Sequence, residues 1–268
     1  MTVVPSPLPF EPRRFRSAAA HYLPGRPAYA PALIRRVAAL AGLGPGARVM
    51  DLGCGPGQLG RAFAPFAAEV VAIDPEPEML RLAAEDAPPT MRVQPGSSYD
   101  LGPALGRFRL VVIGRAFHWM DRADALARLD GLIEPEGSVA LFADRHPPVP
   151  DNAWREAWRA VIDTHSSGGD VRNARRSGAW VEHEAVLLDS PFAHVERVAV
   201  IERRHTPEEA LIQRALSMSG TSPSRIGDRV DALTRELRDV LAPHVREGLV
   251  TEVVESTALL AFRHDPTE

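Results

Sequence analysis

Short apolar runs alternate with amphipathic stretches along the first half of the chain. From Ala18 to Gly42 the apolar positions follow a helical period, with Leu33, Ile34, Val37 and Leu40 on one stripe and Gly42 and Gly44 as stop signals. Runs nearly continuous in Val, Ile and Leu then predict strands over 47–52, 69–74, 91–94, 109–114 and 138–143, with helices over 58–66, 77–84 and 123–133 between them. Strands apolar on both faces and joined by helices indicate a mostly parallel sheet covered on both sides. The second half predicts a helix over 154–164, a strand over 194–203, helices over 207–218 and 226–241 and a last strand over 250–262. The expected fold is α/β: a doubly wound, mostly parallel seven-stranded sheet with helices on both faces and a helical cap over its ligand edge.

A polar Gly/Ser/Arg stretch over 166–178, with Arg172, Arg175 and Arg176, reads as a charged mobile loop or, with Asp144-Arg145-His146 at the end of the fifth strand, as contacts for a substrate with an acidic group. Between the late helices, the segment from Ser217 to Arg225 reads as a turn in which a serine caps the helix that follows, or as a rim of the pocket. No repeat or linker marks a second domain. The chain therefore reads as one domain, with an N-terminal arm and lid helices over 1–45, a binding core over 46–146 and a C-terminal half with cap helices over 147–268.

With 268 residues, 45% of them hydrophobic, the chain can bury a full core without disulfide or metal staples. A net charge of -4 without clustered Lys and Arg argues against a nucleic acid partner. The single cysteine, Cys54, excludes an intrachain disulfide, and Pro5, Pro7 and Pro9 stand where a signal peptide needs an apolar helix, so a cytoplasmic location is expected. No apolar run reaches the roughly 20 residues that span a bilayer, so no membrane partner is expected. The nine histidines are dispersed, which predicts no metal site. Residues 1–16, rich in Pro and Arg, read as a flexible arm that could strap a neighbouring subunit and so leave a homodimer open.

The most informative segment runs Val49-Met50-Asp51-Leu52-Gly53-Cys54-Gly55-Pro56-Gly57-Gln58-Leu59-Gly60, a strand entering three alternating glycines and then a helix. Glycines there allow positive φ and let a ligand approach bare backbone. The tail of the segment also fits G-x-G-x-x-G with an acid at Asp74, the dinucleotide fingerprint, so an NAD(P)-dependent oxidoreductase is one reading. Two points oppose it. Asp51 closes the strand where a pyrophosphate would sit, and like charges at close range in a low-dielectric cleft are costly. The fingerprint glycines also come late, because Leu52-Gly53-Cys54 intervene. A ligand presenting an ammonium and a sulfonium would welcome the carboxylate.

Val49 to Gly57 resembles the S-adenosylmethionine (SAM) motif of class I, Rossmann-like methyltransferases. Val70-Val71-Ala72-Ile73-Asp74-Pro75 is similar to the second strand of that family, Gly96-Ser97-Ser98-Tyr99 falls near its adenine-binding position with Tyr99 in place of an acid, and Arg109 to Asp121 resembles its fourth strand and following loop. Tyr22-Leu-Pro-Gly-Arg26-Pro-Ala-Tyr29 is similar to an element that precedes the core in members resembling trans-aconitate methyltransferases. The resemblance covers about residues 20–145. It implies a small-molecule methyltransferase that takes SAM and releases S-adenosyl-L-homocysteine. Cofactor contacts are implied at Asp51, Gly53, Cys54, Gly55, Gly57 and Gln58 of the loop, and at Asp74, whose two oxygens suit a ribose diol. Further contacts fall at Pro75, Met79, Ser97, Ser98 and Arg115, and at Tyr22 and Arg26 near the methionine end; Tyr29, Phe117, His118 and Trp119 face the acceptor.

Several of these residues keep two readings. Met79 lies on the adenine or packs in the core, Arg26 forks onto a carboxylate or only marks a helix boundary, and Arg115 touches the cofactor or solvent. His118, at the carboxyl edge of the sheet, is a general base or a pocket wall, and alternation sends one of Phe117 and Trp119 into the core. Methyl transfer from a sulfonium needs mainly proximity and orientation, with a base only where the acceptor must lose a proton. A SAM-binding protein of this fold without methyl transfer is the remaining alternative.

Overall fold

The computed structural model describes residues 15–167 and 180–263, so the proline-rich arm as far as residue 14 and most of the polar stretch, with Arg172, Arg175 and Arg176, lie outside the described residues. Eight strands form one sheet: β1 (Arg48–Leu52), β2 (Glu69–Asp74), β3 (Met91–Pro95), β4 (Phe108–Gly114), β5 (Ile133–Arg145), β6 (His194–Pro207), β7 (Val245–Arg246) and β8 (Leu249–Phe262). Their order is β3-β2-β1-β4-β5-β8-β6, with β7 paired to β8 at the side. The first five run parallel, and β8 enters antiparallel between β5 and β6. The seven expected strands form that path. The eighth, two residues of β7, is too short to carry a period.

Strand residues alternate between two apolar layers, as the pleat requires. Val49, Val70, Ala72, Leu110 and Val112 pack on one face with α2 (Pro31–Leu40) and α3 (Gln58–Phe63). Met50, Val71, Ile73, Val111 and Ile113 pack on the other with α5 (Arg122–Asp130) and α7 (His183–Leu188). Between these lie α4 (Pro77–Glu85), joining β2 to β3, and α6 (Trp154–His165), following β5. A third apolar cluster joins α6 with α8 (Glu208–Leu216), α9 (Pro223–Ile226) and α10 (Val230–Leu241) through Trp154, Trp158, Leu211, Leu233 and Leu237. This is the helical cap.

Three expectations are corrected. The helix expected over 18–42 is two, α1 (Ala19–Gly25) and α2, because Pro27 forces Arg26 into extended backbone at φ -95 and ψ 120. The helix expected over 226–241 breaks at Gly227, whose φ of +54 interrupts it before α10. Ser222 precedes α9 but does not cap it; its hydroxyl reaches back 3.5 Å to the Ser219 carbonyl. The six-residue α7 is an addition, and it has no side-chain cap to announce it in the sequence. α1 lies close on α8, where a Cβ at Gly25 would run into the Arg214 backbone nitrogen.

Candidate functional site

The glycine loop turns at the carboxyl end of β1 on three left-handed residues, Gly53 at φ +69, Gly55 at φ +53 and Gly57 at φ +80. The Gly53 and Cys54 amides donate to the Ile73 carbonyl, anchoring the loop to β2. A Cβ at Gly53 would lie 2.7 Å from that of Ala116, whereas one at Gly55 would meet nothing within 4 Å. The loop is thus packed at one glycine and open at the next.

Asp51 and Asp74 hold this turn from inside. Asp51 is 1% exposed and accepts 2.7 Å from the Gly60 amide at the start of α3. Burial pushes its carboxyl up to about 7, against that hydrogen bond and with help from Asp74. Asp74 accepts from the Gly55 and Glu76 amides, each at 2.8 Å, and burial pushes it up to about 6. The sequence reading missed Glu76, whose two carboxylate oxygens are buried beside Asp74 without a hydrogen-bond partner among the described residues. Pro75 is exposed, and Met79 is buried in the first turn of α4. Ser97 is engaged with Tyr99 and Asp100 in a capped turn, Ser98 is buried within that turn, and Cys54 is buried with its thiol pushed up by burial.

A separate cavity of about 580 Å³ opens where β4 and β5 end beneath the cap. It is lined by Arg26, Arg115, Phe117 and His118 from the expected set, by Met218 of the 217–225 turn, and by Arg155, Trp158, His183 and Arg214, which no local pattern marked. Gln58 links it to the glycine loop: its side chain donates 3.3 Å to the Arg26 carbonyl and accepts 3.5 Å from Arg115. The imidazoles of His118 and His183 stack with centroids 6.5 Å apart and planes at 12°. Phe117 is the one of its pair that turns into the core, at 2% exposure, while Trp119 meets Phe15 edge to face.

Arg115 is neither solvated nor aimed outward. Its guanidinium pairs with Asp144, donates 3.0 Å to the Pro27 carbonyl and covers the Tyr29 ring at 4.4 Å. Burial opposes the Asp144 charge, but Arg115 holds its carboxyl below the usual carboxylate range. Arg26 donates 2.8 Å to the Ser217 hydroxyl and lies 5.6 Å over Tyr22, which does not reach the cavity lining. Behind the cavity, Glu252 on β8 is fully buried. It accepts from Arg214 at 2.8 and 2.9 Å, from Thr206 at 2.6 Å, and pairs with His146 at 3.0 Å.

Known proteins similar to this chain in sequence or fold include methyltransferases. A family described as a methyltransferase domain matches residues 49–137. An uncharacterized methyltransferase of Mycobacterium tuberculosis is 30% identical over 233 residues, which is 86% of each chain. A malonyl-acyl-carrier-protein O-methyltransferase of Enterobacter lignolyticus is 34% identical over 156 residues, 55% of this chain and 59% of that one. In fold, a SAM-dependent methyltransferase of Geobacter sulfurreducens, solved with S-adenosyl-L-homocysteine, matches with a TM-score of 0.54 at 15% identity, covering 95% of this chain and 99% of its own.

Proposed function

Because the chain belongs to the class I, SAM-dependent methyltransferases, we propose that it methylates a small molecule held in the cavity between the β4 and β5 ends and the cap. The observation that carries this reading is the pairing of an open glycine turn with a distinct cavity of about 580 Å³, a volume suited to a small acceptor, with Gln58 bridging the two. Family membership sets the dinucleotide reading aside.

The residues fit the cofactor. Gly55 leaves its backbone open, and the buried, unpartnered Glu76 oxygens offer acceptors for hydroxyl groups next to Asp74. Asp74 and Glu76 would hold the ribose, Met79 the adenine, Asp51 the charge at the amino-acid end and Arg26 its carboxylate. Bound, SAM supplies a methyl group already activated on a sulfonium. The protein then has to orient the acceptor and exclude water. Arg115 acts by position: it fixes Gln58 and Tyr29 and is itself held by Asp144. Where the acceptor atom carries a proton, His118, on the cavity wall, takes it.

Transfer of labelled methyl from SAM to a panel of small acceptors tests the reading, alongside calorimetric titration with S-adenosyl-L-homocysteine and with NADH. Binding of the first and not the second is expected, with label in an acceptor. Tight binding with no acceptor ever labelled would favour the non-catalytic alternative. His118→Asn should lower turnover by about 10²-fold or more if His118 is the base; unchanged turnover would leave it a wall.

A further inference from the structure

Among the described residues, six arginines line the cavity, and four are matched by acids. Arg115 pairs with Asp144, Arg214 with Glu252, and Arg145 and Arg197 with Glu184. Arg26 is bonded to Ser217 and, in the proposed function, holds the cofactor carboxylate. That leaves Arg155, on the first turn of α6.

Among the described residues, no hydrogen bond or ion pair reaches the Arg155 guanidinium, whose carbon lies 5.5 Å from the centre of the Trp154 ring. The acid whose field it feels, Glu252, has both oxygens filled by Arg214, His146 and Thr206. Glu182 also lines the cavity but is exposed, so water screens it. Burial, reinforced by Arg159 and Arg214, pushes Arg155 down to about 9. Three residues further along α6, on the same helical face, Trp158 lines the cavity at 2% exposure, and its indole N–H is buried without an acceptor among the described residues. A cation without a counterion and an N–H without an acceptor share one wall. Both deficits are met by one group, an oxyanion.

We infer that the methyl acceptor carries a carboxylate and that Arg155, with the Trp158 indole, anchors it against α6. That the anion belongs to the methyl acceptor rests on the proposed function; the anion site itself stands on the cavity alone. With Arg26 given to the cofactor, one cavity cation among the described residues is left unmatched, which calls for a monoanion and favours a carboxylate over a phosphate monoester.

The test is calorimetric titration of the full chain with benzoate and succinate and with their uncharged isosteres benzamide and succinamide, with and without S-adenosyl-L-homocysteine. The carboxylates should bind wild type in preference to the amides. Arg155→Gln should weaken them by about tenfold or more, and Trp158→Phe by less, with S-adenosyl-L-homocysteine affinity held within about twofold. Folding is not at risk in Arg155→Gln, because it removes an unmatched charge and should raise Tm. Equal binding of acids and amides, or of acids by wild type and Arg155→Gln, overturns the inference. Failure of S-adenosyl-L-homocysteine to bind wild type would instead sink the methyltransferase reading, with the carboxylate titration in its absence still judging the anion site.

Discussion

Gly53 and Gly55 adopt the same left-handed backbone but have different surroundings, so equal substitutions should fail in different ways. At Gly55 an alanine costs roughly 1–2 kcal/mol of backbone strain and projects its Cβ into open space over the turn. We expect Gly55→Ala to lower Tm modestly and to weaken S-adenosyl-L-homocysteine about tenfold or more by calorimetry. Gly53→Ala drives a Cβ against Ala116 and should destabilise the fold more than Gly55→Ala in urea unfolding. The acids make cofactor affinity depend on pH. Asp51 and Asp74 are pushed up to about 7 and about 6, so each binds its proton more tightly folded than unfolded. The sign follows: their ionisation costs stability as pH rises from the unfolded value near 4 to the folded one, and a cationic ligand that needs them ionised loses affinity as pH falls below about 7. Titrations between pH 7.5 and 5.5 should show a drop steeper than tenfold per unit at the low end, where both acids take up protons, and Asp51→Asn should flatten its upper part.

At the scale of elements, Arg115 ties the strand ends to the segment ahead of the core. It leaves β4 at φ +56, binds Asp144 on β5, the Pro27 carbonyl before α2 and Gln58 on α3, while Ser256 of β8 donates 3.0 Å to the same Asp144. Removing one member of a buried pair strands the other's charge. Arg115→Gln should therefore cost about 3–5 kcal/mol in urea unfolding, and adding Asp144→Asn should recover a large part of it. Independent, additive losses would show that the pair does not hold the strand ends together.

Across the whole molecule, one buried acid helps to tie the cap to the sheet. Glu252 on β8 reaches Arg214 on α8, and α1 lies against that helix at Gly25. Glu252→Gln should weaken this seam by about 3 kcal/mol, because Arg214 would keep its charge without a matching anion. Hydrogen exchange should then speed up in α1 and α8 before it does in β1 and β4. Uniform acceleration would mean that cap and sheet open as one unit.

Local order was legible in the chain because it is written over a few residues at a time. Alternating apolar runs set the parallel core, and the Asp51 to Gly60 segment set the glycine turn and its acid. Asp74 followed from its place at the end of the next strand. Other features came only with the tertiary structure: the turn of Phe117 inward and Trp119 outward, and the capture of Arg115 by Asp144. The cavity belongs with them, since Arg155, Trp158 and Arg214 lie far along the chain from His118 and share no motif with it. Period and backbone conformation are properties of neighbours in sequence, whereas which charge is matched and which is left for a ligand depends on neighbours in space that only the packed cap and sheet supply.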